Sequence, residues 1–233
     1  MKQKKIAING IEIYPFSTCG EILNFIEDQK KILIAINSLK ITNATEEIRN
    51  IINKNIGYAD GVGVILGMKR KGCKDAIKIP GCELWLKIIE KYQTTKSFYF
   101  IGGKDSVIVD TIKKLKSEYP SLKIINYQNG FFDETKKVEI IREIKDKKPD
   151  VVMVAMGSPK QELFMNELLS LHPALYMGLG GSFDVYSGNG KRANGWWVKH
   201  NLEWLYRLIK QPHRIKSQLS LVKYFFCLLL KIY

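Results

Sequence analysis

Short apolar runs alternate along most of this sequence with longer segments whose apolar residues recur at helical spacing. Several runs are apolar at every position, which is typical of strands covered on both faces by helices. The predicted strands are residues 32–36, 62–66, 98–101, 123–127, 151–155 and 175–177. The predicted helices are residues 42–53, 82–92, 105–118, 134–145 and 160–169. Repeated strand–helix units predict an α/β fold with a Rossmann-like, doubly wound, mostly parallel sheet.

Both ends of the chain depart from this alternation. Residues 6–13 alternate around Asn9-Gly10, a preferred pair for a two-residue turn, which predicts an N-terminal β-hairpin. From Trp196 onward the pattern is helical, and Pro212 should end one helix and start another. We therefore predict an α/β domain over residues 1–190 and a basic helical appendage over residues 191–233.

Charge is concentrated in that appendage. The formal net charge is +14, and the segment from Lys191 to the end holds nine Lys and Arg against one acidic residue, Glu203. Nucleic acid, anionic lipid and a phosphorylated substrate all suit such a segment, and charge alone does not separate them. The four cysteines lack metal-ligand spacing, so neither a zinc site nor a disulfide framework is expected. No apolar signal region follows the charged start, and we expect a cytoplasmic protein.

Three predicted strands end in loops that contain glycine. These loops are residues 101–104, 156–160 and 177–182. Gly103 and Gly157 would let a ligand approach the backbone, and Lys104 and Lys160 beside the following helix starts favour an anion. Because ligands of open parallel sheets bind beyond the carboxyl ends of the strands, these loops favour a phosphate-bearing ligand over plain tight turns. No Walker A element is present, and Gly61-Val-Gly63 precedes an apolar run, which disfavours P-loop and nicotinamide enzymes.

Two carboxylates lie in turns next to predicted strands. Asp60 precedes Gly61 at the entry to an apolar run, and Asp184 follows the glycine loop 177–182. An aspartate at such a position can bind a ribose hydroxyl, act as a base or cap the next segment, and the pattern does not choose among these roles.

The C-terminal segment is an amphipathic basic helix. Leu219, Val222, Phe226 and Leu229 form one apolar stripe, and a second apolar stripe lies beside it. The uninterrupted apolar run of residues 224–230 is far shorter than the roughly 20 residues that span a bilayer. Packing against the body of the protein is one explanation of the stripes, but the flanking Lys and Arg favour an anionic membrane surface contacted by residues 213–233.

With these features in place, the sequence resembles the WecG/TagA/CpsF family of bacterial glycosyltransferases from about Asn37 to Leu219. The most specific segments are residues 58–63 (YADGVG), 155–162 (AMGSPKQE), 177–184 (MGLGGSFD), 191–193 (KRA) and 202–208 (LEWLYRL). The sequence of residues 172–181 and 211–219 is most similar to that of the WecG branch.

The resemblance implies a reaction. Members of the WecG branch transfer N-acetylmannosaminuronic acid from its UDP donor to undecaprenyl-diphosphate-linked N-acetylglucosamine, in the synthesis of enterobacterial common antigen. Related members use UDP-N-acetylmannosamine for teichoic acid linkage units or UDP-glucose for capsules. The family is understood to invert the anomeric centre, to need no metal ion, and to sit on the inner face of the plasma membrane through the C-terminal appendage.

The resemblance also assigns roles to residues of this chain. Asp60 matches the catalytic base, and Asn37 matches a residue of the acceptor pocket. The motifs expected to hold UDP contain Gly157, Gln161, Phe183 and Asp184. The appendage arginines thought to steady the leaving diphosphate are Arg207 and Arg214.

Two positions depart from the family pattern. Lys78 stands where Arg is common, and Glu83 stands where Asp is common. Lysine keeps the positive charge but cannot form the bidentate fork of a guanidinium. The departure leaves the donor sugar open, because a uronate donor needs a cation near its carboxylate.

Proteins of other classes fit the sequence less well. A nucleic-acid-binding module would account for the basic end, but no RRM, KH or helix-turn-helix signature is present, and we expect no nucleic-acid partner. An oxidoreductase or a methyltransferase shares this fold class, since a fold does not specify a function.

Overall fold

The structure is a computed structural model that describes residues 4–190, 195–200, 203–210, 215–230 and 232–233. Its strands are β1 (Ile6–Ile8), β2 (Ile11–Ile13), β3 (Ile32–Ile36), β4 (Ile56–Ala59), β5 (Ser97–Gly102), β6 (Lys123–Gln128), β7 (Val151–Ala155) and β8 (Leu175–Gly178). Its helices are α1 (Cys19–Phe25), α2 (Ser38–Asn43), α3 (Glu46–Lys54), α4 (Val62–Arg70), α5 (Gly81–Tyr92), α6 (Asp105–Glu118), α7 (Glu134–Lys147), α8 (Lys160–Leu171), α9 (Ser182–Tyr186), α10 (Gly195–Lys199), α11 (Glu203–Lys210) and α12 (Ile215–Leu229).

The predicted fold class is confirmed. Strands β3 to β8 form a six-stranded sheet in the order β4-β3-β8-β7-β5-β6, and all neighbouring strands in it are parallel. β1 and β2 form the predicted antiparallel hairpin, with Asn9 and Gly10 both at positive φ in its turn. Among the described residues, none of the helices has the length and hydropathy needed to cross a bilayer.

Helices cover both faces of the sheet, and the two layers have separate cores. On one face α3, α4, α7, α8 and α12 pack against strand residues such as Ile34 and Val154. On the other face α1, α5 and α6 pack against residues such as Phe100 and Met153. Because alternate side chains of each strand enter different layers, every strand in the middle of the sheet must be apolar throughout.

One predicted strand was wrong. Residues 62–66 lie in helix α4, and the strand is the preceding segment, Ile56–Ala59. A short apolar run such as Val-Gly-Val-Ile-Leu is compatible with a buried helix as well as with a buried strand, and periodicity does not separate them. Asp60 and Gly61 therefore follow a strand and precede a helix, whereas the sequence pattern predicted that they precede a strand.

The predicted helix over residues 42–53 is two helices. α2 ends at Asn43, Ala44 is extended, and the Thr45 side chain accepts a hydrogen bond from Ile48 N to cap α3. The first helix starts earlier than expected because the side chain of Asn37 caps it and accepts a hydrogen bond from Lys40 N.

The N-terminal hairpin protects an edge of the large sheet. Just after β2, Tyr14 N donates a 2.8 Å hydrogen bond to Gly57 O and pairs with Tyr58 in a parallel bridge. An exposed edge strand offers unpaired backbone groups to other chains, and this pairing covers part of the β4 edge.

The C-terminal helix packs against the α/β body with one face. Tyr224 is fully buried, and its hydroxyl donates a 2.9 Å hydrogen bond to Gly63 O in α4. Leu228 is also buried, and Arg70 Nη2 donates to Leu229 O at the end of the helix. The helical breaks expected around Pro212 fall on residues 211–214, which lie outside the described residues. A domain boundary between residues 190 and 191 stays a prediction.

Candidate active site

The carboxyl ends of the parallel strands bring most of the predicted site residues to one edge of the sheet. Along this edge the sheet order places Asp60 after β4, Asn37 after β3, the 179–184 segment after β8, the 156–161 segment after β7 and Gly103 after β5. Neighbouring strands lie about 4.8 Å apart, so three spacings separate the ends of β4 and β7 by roughly 14 Å. An extended ligand can therefore contact both ends of this row.

The crevice expected in a doubly wound sheet lies between β5 and β7. Helix α6, which follows β5, packs in the layer of Phe100, and helix α8, which follows β7, packs in the layer of Val154. The connections of two neighbouring strands thus leave toward opposite faces, which opens a space above the sheet edge. The amino ends of α6 and α8 border this space, and their first backbone N–H groups lack intrahelical partners, an arrangement that suits an anion.

The glycines around the crevice fall into two groups. A β-carbon at Gly102 would lie 2.7 Å from Ala155 Cα, so strands β5 and β7 approach too closely for any side chain there. At Gly157 and Gly180 a β-carbon would meet nothing within 4 Å, and both residues have positive φ. The first glycine is required by packing, whereas the other two leave open space beside the backbone, where a ligand can approach the main chain closely.

Asp60 is held by the start of the next helix. Its Oδ1 accepts a 2.8 Å hydrogen bond from Gly81 N, and its own backbone N donates to Ile36 O. Gly61 lies against Asn37, since a β-carbon on this glycine would be 3.4 Å from Asn37 Cβ. The predicted base and the predicted acceptor residue therefore occupy neighbouring positions on the sheet edge.

Tyr58 lies beneath the predicted base and was not identified from the sequence. Its side chain is fully buried, and its hydroxyl has no hydrogen-bond partner among the described residues. Burial, and then the charge of nearby Asp60, raise the pKa of Tyr58 well above its ordinary value. The phenol is protonated at neutral pH, and the raised pKa keeps it protonated well into the alkaline range beside the Asp60 carboxylate.

Gln161 joins two of the glycine loops. It is buried at the start of α8, and its Oε1 accepts a 2.9 Å hydrogen bond from Gly180 N in the loop after β8. Its Nε2 donates to Glu162 Oε1 at 3.1 Å. In this structure the side chain fixes the relative position of the two loops, while the predicted contact between Gln161 and a nucleotide stays a prediction.

The other residues predicted to bind the donor differ in their exposure and in their contacts. Lys104 is the exposed residue just before α6, and its side chain makes no capping hydrogen bond to that helix. Lys160 Nζ lies 3.5 Å from Gly130 O and over the ring of Phe132. Asp184 is partly buried in α9.

Phe183 differs from its neighbours in the glycine loop because its side chain is completely buried. Its ring lies 5.7 Å from that of Trp85 and 6.2 Å from that of Phe100. The side chain anchors the loop through packing, so a contact between Phe183 and the donor, which stays a prediction, would have to use its backbone.

Lys78 belongs to the same end of the edge as Asp60. The next residue, Ile79, donates its N–H to Ala59 O at 2.8 Å, which runs the Lys78 segment alongside the end of β4. Arg207 lies in α11, but its side chain is outside the described part of the structure, as is all of Arg214. In the described ranges, no group of three or more His, Cys, Asp or Glu side chains is placed to hold a metal ion.

Lys40 and Glu162 are further residues that the sequence did not single out. They form a buried ion pair between α2 and α8, with Lys40 Nζ 2.7 Å from Glu162 Oε1. Burial of Glu162 was not expected, because a glutamate in the first turn of a helix is usually exposed and is favoured there by the helix dipole. The sequence indicated its importance only by its place at the end of the 155–162 motif.

Comparison with known families accounts for this arrangement. The model of the glycosyl transferase WecG/TagA/CpsF family matches residues 6–232, from the N-terminal hairpin to beyond the end of α12. The match includes every described segment of the sheet edge, and the proteins of this family are glycosyltransferases. This chain is therefore an enzyme that transfers a sugar, and it belongs to the WecG/TagA/CpsF family.

Proposed function

We propose that this glycosyltransferase moves N-acetylmannosaminuronic acid from UDP to undecaprenyl-diphosphate-linked N-acetylglucosamine at the inner face of the plasma membrane, as in synthesis of enterobacterial common antigen. The observation that carries the proposal is the single row formed by Asp60, Asn37 and the open glycines Gly180 and Gly157 along one sheet edge. A carboxylate at one end and phosphate-suited backbone at the other match the two halves of a nucleotide-sugar reaction.

In the proposed reaction Asp60 acts as the general base. A hydroxyl of the acceptor sugar attacks the anomeric carbon of the donor, and Asp60 takes the proton as the new C–O bond forms. The bond between the anomeric carbon and the diphosphate oxygen breaks on the opposite side, so that UDP leaves with the electron pair and the configuration inverts. Arg207 and Arg214 are proposed to stabilise the charge of the leaving diphosphate, with no metal ion required.

The donor sugar is the most specific element of the proposed reaction. A uronate carboxylate requires a cation near the sugar, and Lys78 beside the end of β4 is our candidate for that contact. UDP-N-acetylmannosamine and UDP-glucose are the alternative donors, and both lack the carboxylate. Replacing Lys78 by Met should therefore raise KM for a uronate donor more than KM for either neutral donor.

Ligand binding to the folded enzyme gives a direct check of the nucleotide class. At a concentration of 100 times Kd, a ligand that binds only the folded state stabilises it by about 2.7 kcal/mol, which raises Tm of a chain this size by about 5 to 10 °C. We expect UDP to produce such a shift in a thermal-unfolding assay. A shift produced by NAD or S-adenosylmethionine instead of UDP would contradict the proposal.

The outer face of α12 is proposed to bind the membrane. Val222 and Phe226 are 67% and 61% exposed, on the side opposite the buried residues Tyr224 and Leu228. Exposed Lys223 lies beside this apolar stripe, while Arg70 and Lys71 line a cavity of about 290 Å³ near the end of the helix. An apolar stripe flanked by cations suits the interface of an anionic bilayer.

Charge on that stripe should release the enzyme from vesicles. Burying Val and Phe contributes about 1.5 to 3 kcal/mol each, so V222E/F226E should weaken binding to anionic vesicles at least about 100-fold. A matched control is V138E/F131E, since those side chains are 55% and 73% exposed, in α7 and in the loop that precedes it. Flotation with vesicles measures both. Substitution is a cleaner test than truncation because truncation would also remove buried Tyr224.

Equal loss of flotation in V222E/F226E and in the control pair would show that net charge alone governs binding. Unchanged flotation of V222E/F226E would remove α12 from the proposed membrane contact.

A further inference from the structure

The buried ion pair between Lys40 and Glu162 joins the two sides of the site. The Glu162 side chain is fully buried and that of Lys40 is 9% exposed, and their charged atoms are 2.7 Å apart. An isolated buried charge is costly, and even a buried pair contributes little net stability compared with apolar residues of the same size. Stability alone is therefore a weak explanation of this pair, and its neighbours show what else it does.

On the donor side, Glu162 determines how the amide of Gln161 is oriented. An ionised carboxylate only accepts hydrogen bonds, so the Nε2 group of Gln161 must face Glu162 Oε1, at 3.1 Å. Oε1 of Gln161 is then directed at Gly180 N, which donates to it at 2.9 Å. Tight packing supports this orientation, because a β-carbon on Gly178 would lie 2.5 Å from Gln161 Nε2.

On the acceptor side, Lys40 lies in the first turn of α2, which Asn37 caps. Its backbone N donates to Asn37 Oδ1 at 2.9 Å, while its Nζ reaches Glu162. β3 and β8, which precede Asn37 and Gly180, are neighbours in the sheet. A chain of four hydrogen bonds thus runs from Asn37 through Lys40, Glu162 and Gln161 to Gly180.

We propose that Lys40 and Glu162 are positioning residues that hold the Gly180 loop in the geometry needed to bind the donor diphosphate and that tie this loop to the acceptor side. The proposal rests on the proposed function for the identity of the ligand. Neither residue touches the reacting atoms; both act through Gln161, and Lys40 links it to the helix that Asn37 caps. The open side of Gly180 is the surface whose position they fix.

The test replaces the ion pair by apolar residues of similar size. K40M/E162L should fold and should lower Tm by no more than about 12 °C. Apolar replacements of a buried pair are often neutral or stabilising, but Gln161 Nε2 loses its acceptor at a cost of about 1 to 3 kcal/mol. The variant should nevertheless raise KM for the UDP-sugar about 10- to 100-fold, the effect of a displacement of about 1 Å in a binding site. Amide hydrogen exchange of residues 178–182 should become faster in the ligand-free protein.

A second variant separates the ion pair from the orientation of Gln161. K40M/E162Q lacks both charges but keeps an amide oxygen that can accept from Gln161 Nε2, so KM and amide exchange should return only part of the way to parent values. The remaining difference measures the lost link between Lys40 and Glu162. The control is K137M/E167L, which removes the Lys137–Glu167 ion pair of 2.8 Å between α7 and α8 and should change neither quantity.

Parent-like KM and parent-like exchange in K40M/E162L would overturn the proposal. If K40M/E162L fails to fold, then K40M/E162Q decides: parent-like KM together with parent-like amide exchange in that variant would also overturn the proposal. Amide exchange in the ligand-free protein does not depend on the donor, so it tests the network even if no UDP-sugar is turned over and the proposed function fails.

Discussion

Asp60→Asn should lower kcat by about 100- to 10,000-fold, the range that a general base contributes. The substitution keeps the Oδ1 acceptor that binds Gly81 N at 2.8 Å, so the loop before α5 should hold its position. It removes the ability to take a proton from the attacking hydroxyl. Donor affinity should therefore change little, and the loss should appear in kcat when UDP release is followed with a lipid-linked acceptor.

The matched control for this variant is Asp110→Asn, which changes an exposed aspartate of α6. Its kcat should stay close to that of the parent enzyme. Near-normal turnover of Asp60→Asn would eliminate Asp60 as the base and would require another group at the β4 and β3 end of the sheet edge.

Gly102→Ala and Gly157→Ala should separate the structural glycine from the ligand-binding one. Gly102 has φ of +139° and its β-carbon would lie 2.7 Å from Ala155 Cα, so the substitution combines backbone strain with overpacking. Each effect costs about 1 to 3 kcal/mol, and the free energy of unfolding should fall by about 2 to 6 kcal/mol. Gly157 has φ of +77° and open surroundings, so Ala there should cost only about 1 to 2 kcal/mol.

UDP affinity should fall more in Gly157→Ala than in Gly102→Ala, the reverse of the order expected for stability. Alanine at Gly157 places a methyl group where a phosphate would approach, and the loss of one hydrogen bond of about 1.4 kcal/mol weakens UDP binding about tenfold. Urea denaturation and calorimetric titration with UDP measure the two quantities. Unchanged UDP affinity in folded Gly157→Ala would exclude this loop from the donor site.

Much of the fold could be predicted because central strands of a covered parallel sheet leave a plain record in sequence. β7 is Val-Val-Met-Val-Ala and is buried at every position, and a strand exposed on one face would alternate apolar with polar residues. β4 escaped prediction because Gly57 interrupts its short Ile-Gly-Tyr-Ala sequence, while the more apolar residues that follow form a buried helix. Hydrophobicity measures burial, and it does not specify backbone conformation where both helix and strand are buried.

The glycine loops of the site could be predicted, but the contacts among them could not. Sheet order decides which loops are neighbours, and nothing local in the sequence indicates that β8 lies between β3 and β7. The pairing of Lys40 with Glu162 spans 122 residues and depends on that order. Tyr58 was missed for a related reason. Its burial beside Asp60 depends on the segment around Ile79, which packs along the end of β4 from a distant part of the sequence.

The C-terminal helix shows why two explanations of one pattern need not compete. Its apolar residues fit either packing on the protein body or contact with a membrane. In the structure Tyr224 and Leu228 take up the first role, whereas Val222 and Phe226 remain exposed on the opposite face. A helix with apolar stripes wide enough for both faces can attach to the body and still present a surface to lipid.

We propose that this chain transfers a sugar from UDP to a polyprenyl-diphosphate-linked N-acetylglucosamine. The most direct measurement is UDP release by the purified full-length enzyme with a panel of UDP-sugars, with undecaprenyl-diphosphate-N-acetylglucosamine in anionic vesicles and with mass spectrometry of the lipid product. We predict acceptor-dependent UDP release, fastest with UDP-N-acetylmannosaminuronic acid, and a product heavier by one sugar. Absence of UDP release with every donor, or UDP release that does not depend on the lipid acceptor, would contradict the account.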